Sequence, residues 1–440
     1  MKFYNRDKEL AELRKVSEQT KTAAKMTVLT GRRRVGKTML ALEFARNQPF
    51  IYLFVSKKSE PLLCAEFLDE IKKDVALPVI GEIRAFKDIF ALLLQVAQDN
   101  ELTLIVDEFQ EFANINPAVF SEIQNLWDRQ KNDSRLNVIF IGSIHSMIIR
   151  IFQNAKEPLF GRADRIIRLR PFNIPTLKAI LYDHEIRELQ TLFDYYVFTG
   201  GMPKYIDAFI TNGCASFQSL LDFMVQQDSP FIDEGRNLLI EEFGRDYGSY
   251  FSILELIAVG KTTRAEIESI LQRPVGGYLE RLENEYALIA KYKPINAKPN
   301  ARLQRFRITD NFLNLWFRFV HRNRTAVETG SFSYIKSVLQ RDYQTYCGKL
   351  LEKFFHELFA QTGEYNRLGS YWERGGQNEI DLVAINDMQK KIVMAEVKLN
   401  KRKINLNALH QKANHLLASY SNYTPSFLAL SLEDATKYLP

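Results

Sequence analysis

Residues 31–38 read Gly31-Arg32-Arg33-Arg34-Val35-Gly36-Lys37-Thr38, a G-x-x-x-x-G-K-T pattern. Its flanks give it meaning. Met26-Thr27-Val28-Leu29-Thr30 is β-rich and ends at Gly31. Lys37 to Arg46 reads as a helix whose apolar content is Met39, Leu40, Leu42 and Phe44. A strand feeding a glycine-bearing loop that opens a helix points several backbone N–H groups at one place. That place suits a phosphate chain, because the helix N-terminus carries partial positive charge and unpaired donors. The spacing sends the Lys37 ammonium to the β- and γ-phosphates and the Thr38 hydroxyl to Mg²⁺. The expected nucleotide cradle runs through Gly31, Arg32, Arg33, Arg34, Val35, Gly36, Lys37, Thr38 and Met39.

Outward from the loop, strands and helices alternate. Pro49–Val55 reads as a strand, Glu60–Val75 and Ala85–Asp99 as helices, Asn116–Lys131 as a helix and Leu136–Ile141 as a strand. Leu102-Thr103-Leu104-Ile105-Val106 is an apolar strand ending in Asp107 and Glu108. Strands apolar on both faces that alternate with helices imply a parallel sheet covered on both sides. Ligands of such sheets sit beyond the carboxyl ends of the strands. Asp107 is therefore placed for the Mg²⁺ shell, and Glu108 to orient or deprotonate a water attacking the γ-phosphate. Ser143, after the Leu136–Ile141 strand, is either a γ-phosphate contact or a turn serine. Arg162, before the strand Ile166–Leu169, is either a transition-state arginine, in cis or from a neighbouring subunit, or a salt-bridged structural one.

The chain has 440 residues, more than one core usually supports, so two or three domains are expected. A hydrophobic share of 46% and a charged share of 25% are those of a globular protein. The net charge of +6 permits nucleic-acid binding without demanding it. Cys64, Cys214 and Cys347 are far apart and lack any C-x-x-C spacing, which supports neither a disulfide framework nor a zinc site and points to a reducing compartment. With no signal-like N-terminus and no long apolar run, the expected location is the cytosol, with no membrane partner.

Ser249–Val259, Thr262–Leu271 and Pro274–Glu285 read as three short helices, with Thr262 and Thr263 as N-caps. Ala287–Tyr292 and Arg302–Ile308 read as strands around a loop. Three helices and a hairpin are the pattern of a winged helix-turn-helix. The wing carries Lys291, Lys293, Lys298, Arg302, Arg305 and Arg307 with no acid among them. Phosphate contact with DNA and a solvated sheet edge both fit such a stretch. The aromatic helix Asp310–Val320 reads as core.

A second informative pattern follows. Glu379-Ile380-Asp381-Leu382-Val383-Ala384-Ile385 alternates, and Ile392-Val393-Met394-Ala395-Glu396-Val397-Lys398 is a second strand. A hairpin symmetric about Met388 and Gln389 sets Asp381 opposite Glu396 and Glu379 opposite Lys398. All four then project from one face. Opposed carboxylates destabilise a sheet, and a cation between them removes that penalty. Mg²⁺ or Mn²⁺ suits the oxygen ligands, with Lys398 beside it to stabilise phosphate charge or activate a water. Around the hairpin, Gly348–Gln361 reads as a helix carrying Glu352. Tyr371–Arg374 reads as a strand, Leu406–Ser419 as a helix and Ser426–Leu432 as a strand.

Two resemblances emerge. The opening Asn5-Arg6-Asp7-Lys8-Glu9-Leu10, the Gly31–Thr38 loop, Asp107-Glu108-Phe109-Gln110 and the turn Gly200-Gly201-Met202-Pro203 together resemble the archaeal-type ATPases. These belong to the STAND branch of AAA-like P-loop NTPases. The resemblance implies ATP and Mg²⁺ as ligands and Pro203 as a nucleotide contact. The hairpin with its D-x(n)-E-x-K residues is similar to the restriction-endonuclease-like nucleases, which implies that Glu352 joins Asp381, Glu396 and Lys398. The implied fold is α/β: a P-loop ATPase domain at 1–172, a helical segment at 173–245, a winged helix at 246–325 and a nuclease-like domain at 340–440. The function expected is ATP hydrolysis coupled to a metal-dependent enzyme or binder acting on DNA. The alternative is a signalling ATPase switch with a non-catalytic terminal module. Self-association is compatible with either.

Overall fold

A computed structural model of the chain describes residues 2–74, 82–143, 145–298, 301 and 303–439. It divides into two compact units, Lys2–Pro171 and Phe172–Pro440.

The first unit is built on a five-stranded sheet in the order β2-β3-β4-β1-β5. The strands are β1 (Lys25–Thr30), β2 (Phe50–Phe54), β3 (Leu102–Asp107), β4 (Leu136–Gly142) and β5 (Arg165–Arg168). All four pairings are parallel. Every residue of β3 and β4 is buried, as a sheet covered on both faces requires. The helix Glu60–Asp74 ends where description stops, so Val75, expected to close it, lies outside the described residues. Parallel pairing brings the carboxyl ends of β1, β3 and β4 to one edge. The phosphate-type loop, Asp107 and Ser143 all leave the sheet there.

Phe109 fixes the local geometry of that edge. Its ring stacks on Phe140 with centroids 4.0 Å apart and meets Phe120 edge-on at 5.5 Å. The burial allows Glu108 to hold a left-handed backbone, with φ of 54°. Such a conformation costs a non-glycine residue on the order of 1 kcal/mol. Burying a phenylalanine contributes about 2–3 kcal/mol, so the anchor prevails. Replacing Phe109 with Ala should lower the protection of β3 and β4 amides by about 3–5 kcal/mol in native-state hydrogen exchange.

The second unit begins with five helices between Ile174 and Phe243. The helix Leu189–Thr199 ends on Gly200 and Gly201, both at positive φ, and Pro203 opens the next helix at its first turn. A Cβ on Gly201 would lie 2.1 Å from the Phe172 carbonyl oxygen, so the corner requires glycine. Helices Tyr247–Ala258, Arg264–Leu271 and Gly276–Asn284 follow, then the antiparallel pair β6 (Ile289–Tyr292) and β7 (Arg305–Ile308). Thr263 caps its helix in a reciprocal box with Glu266, as its type and position predict. The aromatic helix starts at Asn311 and continues as a π-helical turn, Trp316–Val320. Trp316 donates to the Ile232 carbonyl at 2.8 Å, and the aromatic residues of this segment are core as expected.

A mixed sheet closes the unit, in the order β11-β10-β9-β8. Its strands are β8 (Arg367–Tyr371), β9 (Ile380–Asn386), β10 (Lys391–Val397) and β11 (Thr424–Leu430). β8, β9 and β10 are antiparallel, while β11 runs parallel to β10 after the helix Leu406–Ala418. Pairings run from Lys391 with Asn386 to Ala395 with Leu382, the register that symmetry about Met388 and Gln389 demands. Two details differ from expectation. The first strand is Arg367–Tyr371 rather than Tyr371–Arg374, because the chain turns at Arg374–Gly376, where Gly375 and Gly376 have positive φ. The preceding helix starts at Phe332, since Ile335, Leu339, Tyr343 and Tyr346 extend the buried stripe towards its N-terminus.

Candidate functional site

The loop of the first unit has the conformation its sequence predicts. Gly36 sits at φ 91° immediately before the helix Lys37–Ala45. Gly31 has φ 148°, and a Cβ there would meet the Leu169 carbonyl oxygen at 2.6 Å. Lys37 is buried, and its ammonium donates to the Gly31 and Arg32 carbonyls at 2.9 and 3.1 Å. Val35 is buried, Arg34 is exposed and Met39 is 61% exposed at the start of the helix.

The Thr38 hydroxyl donates to Asp107 Oδ2 at 2.6 Å. The two residues assigned to one magnesium ion therefore meet. Asp107 is 3% exposed, and its burial pushes its carboxyl pKa up against hydrogen bonds from Thr38 and the Glu108 amide. A buried carboxylate beside a hydroxyl is a hard oxygen pair that a divalent cation would stabilise. The residues fit Mg²⁺. Glu108 is held on both oxygens. Ser143 Oγ donates to Oε1 at 2.7 Å, and the Gln110 amide donates to Oε2. Ser143 is thus a partner of Glu108 in this arrangement. Arg162 is engaged by Asp128, with Nη2 to Oδ2 at 2.7 Å, and by the Pro158 carbonyl at 2.7 Å.

Three residues escaped the sequence reading. Tyr52 donates to Asp107 at 3.1 Å from the adjacent strand β2. Gln110 stood in the Asp-Glu-Phe-Gln stretch, yet its role depends on its side chain turning back to Glu108. Arg6 donates to the Val35 carbonyl at 3.3 Å and the Arg170 carbonyl at 2.8 Å, bracing the loop from behind. Its place in the Asn-Arg-Asp-Lys-Glu-Leu opening was the available signal.

The carboxylates of the second unit also converge. Asp381 Oδ2 accepts from the Val397 amide at 2.9 Å and from Lys398 Nζ at 3.2 Å. Lys398 lies 3.5 Å from Glu396, whose other oxygen accepts from Lys412 at 3.0 Å. Glu352, with Lys349 3.1 Å away, is raised to a pKa of about 7 by burial and then by the charge of Asp381. The sequence reading puts Mg²⁺ or Mn²⁺ between Asp381 and Glu396. In the structure the Lys398 ammonium bridges them. Among the described residues no group of three or more His, Cys, Asp or Glu side chains is placed to hold a metal ion. The cluster as built fits a metal poorly and is compensated by lysines. Glu379 does not pair with Lys398. It takes Arg305 at 2.8 Å and Lys349 at 3.4 Å, because the β9–β10 ladder ends at Leu382 and Ala395.

Of the basic hairpin residues, Arg305 faces inward, with its guanidinium 4.6 Å from the Trp372 ring centre. Arg307 is exposed and lies 5.4 Å from the Tyr292 ring centre. Lys293 is half-buried and Lys298 exposed, while Arg302 lies outside the described residues.

A parallel sheet, a glycine loop opening a helix, and an acid pair at the end of β3 define a P-loop NTPase fold. Residues 3–209 match the family model of an ATPase domain predominantly from Archaea. Residues 316–412 match a model described as archaea bacterial proteins of unknown function. The uncharacterized protein MJECL04 of Methanocaldococcus jannaschii is 29% identical over 407 residues, covering 90% of this chain and 87% of that protein. The Walker-type ATPase PABY2304 of Pyrococcus abyssi has a TM-score of 0.54 at 18% identity, covering 72% of this chain and 96% of that one. The Aeropyrum pernix ORC2 protein has a TM-score of 0.48 at 13% identity, covering 74% and 94%. Over residues 3–209 the chain is thus similar to an archaeal ATPase domain, and its first unit has the fold of a P-loop NTPase. No helix among the described residues is long and apolar enough to cross a membrane.

The raised Glu352 pKa has a signed consequence. A carboxyl whose folded pKa lies above its unfolded value favours the folded state below about 4.5, and that contribution disappears as pH rises through about 7. In EDTA, Tm should fall over this window through Glu352. Glu352→Gln should flatten that segment of the Tm–pH profile and raise Tm at pH 8.

Proposed function

We propose that this chain is an ATP-hydrolysing switch whose second unit binds nucleic acid. The observation that carries the reading is the contact of Thr38 with Asp107, beside a Glu108 fixed by Ser143 and Gln110.

In the proposed reaction the loop amides and the Lys37 ammonium take the phosphate chain and balance its charge. Glu108 orients a water and accepts its proton as the water oxygen bonds to the γ-phosphorus and the bond to the ADP oxygen breaks. Ser143 and Gln110 keep the Glu108 carboxylate aimed, which spares it reorganisation at the moment of reaction. Thr38 and Asp107 would hold Mg²⁺, which when bound neutralises charge on the β- and γ-phosphates. Arg162, in Asp128's grip, would serve only after leaving it.

For the second unit, three helices with a hairpin support a winged-helix reading. The order helix, three antiparallel strands, helix, parallel strand supports a restriction-endonuclease-like sheet. Lys398 between Asp381 and Glu396, with Lys412 on Glu396, favours a binder over a cleaving enzyme. The basic hairpin supplies cations for phosphates, and binding should weaken steeply with salt.

Lys37→Ala should reduce ATP turnover to background in a phosphate-release assay. Glu108→Gln should keep ATP binding and lower kcat by about 10²-fold or more. Unchanged turnover in Lys37→Ala would sink the ATPase reading. Incubation with DNA and Mn²⁺ should leave the strands intact. Cleavage lost in Asp381→Ala would instead make the second unit a nuclease.

A further inference from the structure

Within the second unit a cavity of about 640 Å³ lies between the β6–β7 hairpin and the long helix Phe332–Thr362. Its size falls in the range of small-molecule sites, roughly 300–1,000 Å³. Five cations line it: Arg305, Arg307, Arg318, Lys349 and Lys353. Its acids are Glu266, Glu352 and Glu379. Glu266 is committed to the Thr263 cap, and Glu379 is already matched by Arg305 and Lys349. The cations are in excess.

A merely structural gap would pair its cations closely with acids. Here two half-buried ones rest mainly on neutral acceptors. Lys353 donates to the Thr309 carbonyl at 2.7 Å and to Asn311 Oδ1 at 2.6 Å, with Glu357 only at 3.9 Å. Arg318 donates to the Ala258 carbonyl at 3.1 Å. Two further lining residues carry buried polar atoms without a hydrogen-bond partner: the Tyr346 hydroxyl and the Trp372 indole nitrogen. Both residues are more than nine-tenths buried. An indole N–H can only donate, so its missing partner is an acceptor. A wall short of acceptors and rich in cations matches phosphate oxygens. Tyr292 and Trp372 pack edge-on at 5.4 Å and supply an aromatic wall beside them.

We propose that this cavity binds a nucleoside phosphate, with the phosphate toward Arg307, Arg318 and Lys353 and the base toward Tyr292 and Trp372. The choice of a nucleoside rests on the nucleic-acid reading of the second unit. The ligand is either a free nucleotide or the phosphorylated end of a strand. In both cases the recognised chemistry is the same.

The test uses the full chain carrying Lys37→Ala, so that the phosphate loop does not report, in EDTA. Calorimetric titration with 5′-AMP probes the free nucleotide. A 5′-phosphorylated dodecamer and its unphosphorylated twin probe the strand end. Saturable binding of AMP, or a preference for the phosphorylated dodecamer, is expected and identifies the source. Arg307→Gln should weaken that binding about tenfold, the loss of one charge-assisted hydrogen bond. Tyr346→Phe, which removes only the hydroxyl, should weaken it about threefold with Tm unchanged. Failure of AMP to bind together with no preference for the phosphorylated strand overturns the proposal. So does binding that neither variant weakens. A salt-sensitive filter-binding assay with unphosphorylated duplex separates the two readings. Duplex binding without a phosphate-selective site leaves the broader reading standing, and AMP binding without duplex binding removes the broader reading alone.

Discussion

One hydrogen bond organises the first unit: Thr38 Oγ1 to Asp107 Oδ2, 2.6 Å, across 69 residues of sequence. It exists because β1 and β3 are parallel members of one sheet, so that the loop after the first and the acid at the end of the second share an edge. Burial makes the Asp107 charge costly, and the site offsets that cost with hydroxyl and amide donors rather than a fixed cation. A carboxylate left in that condition is a receptor for a metal ion carried in by its substrate. The strained Glu108 backbone belongs to the same construction. Phe109 goes into the aromatic core, and Glu108 must point the other way.

The second unit solves the opposite problem. Asp381, Glu396, Glu352 and Glu379 crowd one region, and Lys398, Lys412, Lys349 and Arg305 compensate them one by one. Close carboxylates within a sheet need a counter-charge, and side-chain ammonium groups already present supply it. The hairpin arginine that charge patterning assigns to a nucleic acid is, in part, that counter-charge. A basic stretch and an acidic cluster far apart in sequence are two halves of one electrostatic arrangement.

Local pattern made much of this legible. The loop, the strand-end acids and the hairpin register follow from spacing, because a period of two fixes which side chains share a face and a G-x-x-x-x-G-K-T turn has few conformations. Partner choice was not legible. Arg162 meets Asp128, Arg305 meets Glu379 and Arg6 meets Val35, and none of these pairs lies within reach of any periodicity. Ser143 and Gln110 show the same limit at short range. Both lie beside the expected site, but only the left-handed turn at Glu108 reveals that they grip its carboxylate. The long helix reaches further than the Gly348–Gln361 pattern predicts, because Ile335, Leu339, Tyr343 and Tyr346 carry its buried stripe back to Phe332.

The decisive measurement is a crystal structure of the full chain grown with Mg²⁺ and a non-hydrolysable ATP analogue. The account predicts the triphosphate along Gly31–Thr38, the Lys37 ammonium turned from the loop carbonyls to the phosphates, and Thr38 and Asp107 both directed at the metal. A triphosphate bound elsewhere, or one in the loop with Asp107 turned away, would contradict it.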